Sequence, residues 1–231
     1  MNKIESALQR TRDTKALFIG KGVVARTAEM FNKLFPGKTA VIIADTNTWE
    51  VAGKAVEASL QEAGVPMAEK LVIDDPELYA EWRFIEMIED FLKDRDVIAI
   101  AVGSGVINDL TKLVSGRLGR KYMCVGTAVS MDGYTAYGAS ITKDGNKETY
   151  DCPAPYGFVM DPEIAAEAPK ELAASGYADL IAKIPAAADW MLADATGNEK
   201  IDDFSWHLVQ DGLKEALSAP AEVHAGDILV G

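Results

Sequence analysis

Short apolar runs alternate with segments of helical spacing through the first 125 residues of the chain. The apolar runs have the length of buried strands, and in the segments between them apolar residues recur every three or four positions. The runs are residues 16–19, 39–44, 70–73, 97–102 and 122–125, and the helical segments are 23–35, 49–63, 77–93 and a stretch that starts at 106. This alternation predicts an α/β fold with a Rossmann-like, mainly parallel sheet.

The pattern changes near residue 161. A turn-rich span, residues 133–155, contains short alternating segments that predict a hairpin, and the chain beyond it is Ala-rich with helical spacing. Helices are predicted at 162–168, 170–184, 186–195 and 202–217, with Pro185 breaking the second from the third. We therefore expect an α/β domain over residues 1–165, followed by part of an all-helical domain over residues 166–231.

Composition narrows the function classes. The chain has 231 residues and a net charge of −13, which argues against nucleic acid and anionic membranes as partners. No secretory signal and no apolar run of membrane-spanning length is visible. Cys124 and Cys152 form no CxxC pair, so buried thiols are expected rather than a disulfide or a metal site. These features predict a cytoplasmic protein without membrane insertion.

A glycine turn after the fourth apolar run is the strongest chemical signal. Gly103, Ser104 and Gly105 join the strand at 97–102 to a segment of helical spacing that starts at Val106. Backbone N–H groups and a helix N-terminus would then point at one place, where they attract a phosphate. The third glycine of the dinucleotide fingerprint is replaced by Asn108, so an ordinary tight turn is an equally open alternative.

Two other loops carry polar side chains after predicted strands. Asp45 follows the run 39–44, where a carboxylate accepts hydrogen bonds from a ribose diol or, alternatively, caps a helix. Residues 126–133, with the sequence GTAVSMDG, offer Thr127, Ser130 and Asp132 to a nucleotide on one side and a polyol on the other. The alternative for this loop is a turn held by its own side chains. Asp45 and the glycine turn are expected at the same edge of the sheet.

The predicted helical region contributes three candidate residues. Asp179, in the segment GYADLIAK, is expected on the first turn of an apolar helix, either as a ligand aimed into a cleft or as a residue that stabilises the helix dipole. The residues alone favour the dipole interpretation. His207 and His224 lack metal-ligand spacing and are expected to be structural or exposed, so we leave both outside the site.

Three segments taken in order resemble one family. VGSGVINDLTK, GTAVSMDGYTAYGAS and SGYADLIAKIPAAADWML are similar to segments of the sn-glycerol-1-phosphate dehydrogenases. That family belongs to a superfamily with glycerol dehydrogenase, the iron-type alcohol dehydrogenases and dehydroquinate synthase. The resemblance implies an α/β NAD(P)-binding domain, a helical domain for metal and substrate, and a site between them. It also implies interconversion of dihydroxyacetone phosphate and sn-glycerol 1-phosphate with NAD or NADP.

The resemblance implies a role for each candidate residue. Asp45 would meet the adenosine ribose, Asp132 would contact the substrate, and Asp179 would bind a divalent metal, expected to be zinc, while facing the substrate. The zinc ion would polarise the substrate carbonyl. Residues that would contact the cofactor pyrophosphate or its neighbouring atoms are Gly103, Ser104, Gly105, Val106, Ile107, Thr127 and Ser130.

Two departures from the family pattern qualify these expectations. Ala136 stands where the family has a serine that touches the cofactor, so that contact is absent. The two histidines that complete the family's metal site have no counterpart, and the chain ends at the apolar sequence GDILVG, so we expect a truncated chain. Glycerol dehydrogenase, a dehydroquinate synthase-like enzyme and a nucleotide-binding module without catalysis remain alternatives. The choice between NAD and NADP, and whether the chain forms a homo-oligomer, stay open.

Overall fold

A parallel sheet of six strands forms the centre of the molecule. The computed structural model describes residues 3–225 of the chain. Its strands are β1 (Ala16–Ile19), β2 (Thr39–Asp45), β3 (Leu71–Ile73), β4 (Val97–Gly103), β5 (Met123–Gly126), β6 (Ala139–Lys143), β7 (Asn146–Tyr150) and β8 (Gly157–Met160). The sheet has the order β1-β8-β5-β4-β2-β3, and each neighbouring pair is parallel. The predicted α/β, Rossmann-like fold is therefore confirmed.

Helices cover the sheet and make up most of the chain after it. The α-helices are α1 (Lys3–Arg10), α2 (Thr27–Leu34), α3 (Thr46–Thr48), α4 (Lys54–Glu62), α5 (Trp82–Leu92), α6 (Gly105–Arg117), α7 (Pro162–Ala166), α8 (Lys170–Ile181), α9 (Lys183–Ala195), α10 (Asp203–Gln210), α11 (Leu213–Ala216) and α12 (Pro220–Ala225). Among the described residues, no helix is both long enough and apolar enough to cross a bilayer. The division into two domains at residue 165 stays a prediction.

The core consists of two apolar layers, one on each face of the sheet. Successive side chains of a strand point to opposite faces, so Val41 and Ile43 pack with α5 and α6, whereas Ile42 and Ala44 pack with α2 and α4. Because both faces are covered, the central strands contain apolar residues without a polar alternation.

The hairpin predicted within residues 133–155 is present and changes one predicted helix. Strands β6 and β7 pair antiparallel, apart from the main sheet. We predicted a helix over 77–93, but α5 begins only at Trp82. Thr142 on β6 donates to the Ala80 carbonyl at 2.7 Å, and a bridge joins Thr142 to Glu81. The hairpin thus forms hydrogen bonds with the backbone at Ala80, which a longer helix would need for its own hydrogen bonds.

Two other predicted helices are divided. The two helices are separate as predicted, but the break falls at Ala182, before Pro185, which is the third residue of α9 and has no N–H to donate to the carbonyl of Ile181. The helix predicted over 202–217 is wrong as a single element. Gly212 has a positive φ of 89°, which is a left-handed conformation, and it separates α10 from α11.

Candidate functional site

The glycine turn forms the predicted strand–turn–helix unit. Strand β4 ends at Gly103, Ser104 is the N-cap, and α6 begins at Gly105. The first bond of the helix runs from the Asn108 N–H to the Ser104 carbonyl at 3.1 Å, and the Ser104 side chain makes no capping bond. The first-turn N–H groups therefore lack helical partners and lie at the positive end of a helix of 13 residues. Such an end has the chemistry to hold a phosphate.

Close packing explains two glycines near this turn. A Cβ atom at Gly103 would lie 2.6 Å from the Ile107 Cβ, and one at Gly126 would lie 2.6 Å from the Met160 methyl carbon. Gly103 and Gly126 are partners in the β4–β5 register, and the Thr127 N–H donates to the Gly103 carbonyl at 3.2 Å. The predicted residues Thr127 and Gly103 therefore lie side by side, and a larger side chain at either glycine would push the helix or the strand away.

The loop after β5 folds over the start of α6. A Cβ atom at Gly105 would lie 3.0 Å from the Met131 sulfur, so the residues around Met131 sit beside the helix N-terminus. The Tyr134 hydroxyl donates to the Ala128 carbonyl at 2.7 Å and ties the two ends of the loop together. The alternative of a turn held by its own side chains is thus correct in part, because a side chain of the loop bonds to the loop backbone.

Asp45 lies at the predicted edge of the sheet but acts as a helix cap. Its Oδ1 accepts from the backbone N–H groups of Asn47 and Thr48, each at 2.9 Å. Its Oδ2 accepts from the Thr48 hydroxyl at 2.9 Å, which in turn is 3.1 Å from the Asp45 N–H. Both carboxylate oxygens have local partners, so the geometry favours the capping alternative, and the ribose contact implied by the resemblance stays a prediction.

Asp132 and Asp179 meet across the loop and α8. The Asp132 N–H donates to Asp179 Oδ2 at 2.9 Å, and the Lys183 ammonium lies 2.6 Å from Asp132 Oδ2. Asp179 is close to the end of α8 and far from its first turn, so the predicted first-turn position and its dipole interpretation are wrong. A helix C-terminus carries partial negative charge, so the carboxylate there is held by its contacts and gains nothing from the dipole.

One glycine allows α8 to approach the loop. A Cβ atom at Gly176 would lie only 1.9 Å from the Val129 carbonyl oxygen. Gly176 precedes Asp179 on the same helix, so the direct contact of the backbones sets how far the Asp179 carboxylate reaches towards the loop. Sequence reasoning quoted this glycine within its motif but did not assign it this packing role.

Between the loop and α8, these contacts form a cavity of about 560 Å³ that is open to solvent. It brings together three of the predicted residues, Ser130, Asp132 and Asp179, and Ala136 also borders it. The other lining residues are Asp109, Met131, Gly133, Gly138, Ser140, Thr149, Ser175, Ala178 and Ala182. The volume falls within the range of small-molecule sites, and the hydroxyl and carboxylate groups within its largely apolar lining can hydrogen-bond to a polyol.

The carboxyl groups of the cavity have unequal proton affinities. Burial raises the pKa of Asp132, and the neighbouring Asp179 raises it further, while Lys183 opposes both effects. Burial also acts to raise the pKa of Asp179, but the hydrogen bonds from Asp132 and the charge of Lys183 outweigh it, so this pKa lies below its ordinary value. Asp179 therefore loses its proton at a lower pH than Asp132 does.

The described residues do not fit a zinc site. Across residues 3–225 they contain no group of three or more His, Cys, Asp or Glu side chains placed to hold a metal ion. Asp179 has Asp132 beside it, and the nearest further group is the Lys183 ammonium, which repels a cation. His207 is exposed on α10 with its Nδ1 3.1 Å from Asp211, as expected of a residue outside the site. The side chain of His224 lies outside the described residues.

Sequence reasoning missed Lys183, Asp109 and Lys112. Lys183 follows Asp179 by four positions, a spacing typical of neighbours on one helical face, although a break at Ala182 separates them here. Asp109 and Lys112 lie on α6, where they form an ion pair of 3.5 Å with the lysine side chain 1% exposed. The spacing of three positions allows Asp109 and Lys112 to meet on one helical face, but it does not reveal that the lysine is buried.

A family comparison agrees with this geometry. The family model described as iron-containing alcohol dehydrogenase matches residues 18–169, which is more than half of the chain. The chain belongs to the iron-containing alcohol dehydrogenase family. Membership confirms the resemblance that the three motifs indicated, and the matched range includes the glycine turn, the loop after β5 and the hairpin.

Several curated relatives of this chain share one name. A glycerol-1-phosphate dehydrogenase (NAD(P)+) of Bacillus velezensis is 31% identical over 190 residues, which cover 80% of this chain and 48% of that protein. One of Pyrococcus furiosus is 29% identical over 214 residues, covering 92% of this chain and 60% of that protein. The chain thus spans about half the length of the curated relatives it matches.

A solved structure shares the fold. The NADH-dependent butanol dehydrogenase A of Thermotoga maritima has a TM-score of 0.72 at 15% identity, over 95% of this chain and 60% of that one. At this identity the likeness concerns the fold alone. It shows that the α/β sheet and the helices after it occur together in another protein.

Proposed function

We propose that this chain carries the nucleotide-binding part of an NAD(P)-dependent oxidoreductase that interconverts dihydroxyacetone phosphate and sn-glycerol 1-phosphate. The observation that supports this most is the cavity of about 560 Å³ in which Ser130, Asp132 and Asp179 meet. Met131 of the same lining packs on Gly105 at the start of α6, so the cavity adjoins the predicted phosphate cradle. Relatives named as glycerol-1-phosphate dehydrogenases support the choice of substrate.

In this proposal the chain binds and orients. The N-terminus of α6 binds the pyrophosphate through its free N–H groups, and Thr127 and Ser130 contact the cofactor from the next loop. Asp132 and Asp179 accept hydrogen bonds from the substrate hydroxyls, while Lys183 balances their charge. When bound, NAD(P)H supplies the hydride that reduces the ketone, so the protein's part is positioning and electrostatics.

Ser104 allows a test of the cradle that preserves the fold. We expect Ser104→Asp to raise the dissociation constant of NADH, measured by calorimetry, about tenfold. The reason is that a carboxylate at the N-cap lies close to the bound phosphates and repels their negative charge. Ser104→Asn is the matched control, since both Asp and Asn cap helices well and differ only in charge. Equal affinities of the two variants would contradict a phosphate at this helix end.

A second candidate function is nucleotide binding without catalysis. The observation that favours it is the donor set, in which Asp132 and Asp179 have no third metal-binding side chain beside them among residues 3–225. Under this alternative the chain binds NADH by calorimetry but does not oxidise it in the presence of dihydroxyacetone phosphate and zinc. Zinc-dependent turnover by the same chain would exclude it.

We also propose that the protein resides in the cytoplasm. Both cysteines are free and buried in the described structure, as is usual in a reducing compartment. Alkylation and mass spectrometry of protein from its native source would test this, and a disulfide between Cys124 and Cys152 would contradict it.

A further inference from the structure

Lys112 places a buried ammonium group beneath the loop that borders the cavity. Its side chain is 1% exposed, and its Nζ donates to the carbonyl oxygens of Gly133, Ala136 and Gly138, each at 3.1 Å. The three donors of the ammonium group are thus all used on one six-residue segment of backbone. No other described residue is bonded to that segment by three side-chain hydrogen bonds.

Stability alone gives a poor reason for a charge at this position. Burying an ammonium group is costly, and an apolar side chain of similar volume often serves a core equally well. Here the cost is offset by the three carbonyls and by Asp109 at 3.5 Å. Asp109 itself lines the cavity, and its Oδ2 faces the Ser140 N–H at 3.4 Å. The charge therefore joins the helix, the loop and the hairpin at the cavity wall.

Lys112 also lies on the helix whose first turn forms the glycine cradle. Gly105 begins α6, and Lys112 follows about two turns later on the same rigid element. The segment that Lys112 holds starts at Gly133, directly after Asp132. One helix thus fixes both the predicted cofactor end and the loop that carries Asp132.

We propose that Lys112 is a positioning residue that sets Asp132 and its loop relative to the cofactor end of α6. The inference rests on the proposed function, because it concerns the polyol phosphate bound in the same cavity. Lys112 does not touch the substrate in this proposal. It acts through the backbone of residues 133–138, so its removal loosens substrate binding and leaves cofactor binding in place.

The test uses the whole chain and two readouts. Lys112→Met keeps the aliphatic volume and removes the donors. We expect the dissociation constant of dihydroxyacetone phosphate, measured by calorimetry with NADH bound, to rise at least tenfold. The dissociation constant of NADH should stay within twofold of the wild-type value. We also expect faster amide hydrogen exchange in residues 130–138 and unchanged exchange in β5.

Two control variants separate positioning from a general loss of stability. Thr111→Val changes the neighbouring buried residue on α6, whose hydroxyl has no hydrogen-bond partner among the described residues, and should leave both readouts unchanged. Ile88→Ala removes buried volume from α5, outside the segment 133–138, and it serves as a destabilised reference. If both ligands weaken in Lys112→Met in the same ratio as in Ile88→Ala, the role is structural and the inference is wrong.

Hydrogen exchange distinguishes failure of this inference from failure of the proposed function. Unchanged exchange at residues 130–138 in Lys112→Met overturns the inference whatever the ligands do. A wild-type chain that binds NADH but not dihydroxyacetone phosphate rejects the proposed substrate and, with it, the role of Lys112 in binding that substrate. Faster loop exchange together with selective loss of dihydroxyacetone phosphate binding supports the inference.

Discussion

A single missing Cβ atom governs how α8 meets the loop after β5. Glycine in the middle of a helix usually costs about 1 kcal/mol relative to alanine, because its backbone is freer in the unfolded chain. At Gly176 the sign should reverse, since an added Cβ would meet the Val129 carbonyl oxygen at 1.9 Å. Gly176 thus lowers the intrinsic stability of the helix but permits a close contact that places Asp179 at the cavity.

We therefore expect Gly176→Ala to lower the free energy of unfolding by about 2 kcal/mol, although the same change stabilises most helices. The backbone contact has to open, so dihydroxyacetone phosphate binding should weaken as well. Urea unfolding and calorimetry measure the two effects. Ala174→Gly, at an exposed position of the same helix, should cost only about 1 kcal/mol and leave binding intact. A stabilised Gly176→Ala variant would contradict this packing.

Cys152 makes stability depend on pH in the alkaline range. Burial raises the pKa of its thiol from 9.0 to about 11. The folded state holds this proton more tightly than the unfolded state, so the stabilising contribution is complete below pH 9 and is lost as the pH rises through 11.

For this thiol we expect the wild type to lose about 2 kcal/mol more than Cys152→Ala between pH 8 and pH 11.5. Urea unfolding of both proteins over this range isolates the effect, because the other alkaline groups are common to both. The Cys124 thiol, which burial also shifts to a higher pKa, is present in both proteins. Parallel pH profiles of the two proteins would show that the Cys152 thiol ionises normally in the folded state.

At the scale of elements, the chain after β8 differs from the sheet domain in what it exposes. No residue of α8, α9 or α10 is buried among the described side chains. Several large apolar side chains are instead exposed to solvent. On α9, Ile184 and Met191 are each 55% exposed and Leu192 is 64% exposed. Exposed apolar surface of this kind promotes association and binds hydrophobic dyes.

We expect Leu192→Glu to reduce the fluorescence of a bound apolar dye and any concentration-dependent association seen by light scattering, because it places a charge in this surface. Leu192→Ala is the control that removes area without adding charge, and its effect should be smaller. The sheet is distant from this change, so NADH affinity should not alter. Equal dye fluorescence in the wild type and Leu192→Glu would show that this face does not bind the dye.

At the scale of the molecule, the sequence predicts the sheet better than the site. The strands follow from runs such as 97–102, which are buried on both faces and thus unambiguous. The start of α5 could not be predicted, because it depends on the hairpin bonding to Ala80 from about sixty residues away. Long-range bonds of this kind leave no mark in local spacing.

The site residues that belong to a recognisable motif were predicted. Those that act by bonding to the backbone were missed. Ser130, Asp132 and Asp179 converge on one cavity, as the motifs indicated. Lys112 was missed because its partners are carbonyl groups, which every residue carries and no sequence pattern reveals. Asp179 was placed in a first turn because the motif GYADLIAK was taken as a helix start, although α8, like the helix predicted over 170–184, begins at residue 170.

The pairing of β1 with β8 has a consequence for how the chain becomes folded. Among residues 3–225, the first strand of the sheet pairs only with residues 157–160, and the Thr14 hydroxyl donates to the Pro155 carbonyl at 2.8 Å beside it. Contacts across so long a stretch of sequence close slowly. On the ribosome, residues 16–19 leave the exit tunnel well before residues 157–160 are translated. Until then, the apolar edge of this strand has no partner. During synthesis, this unpaired strand is the segment that a chaperone would have to cover.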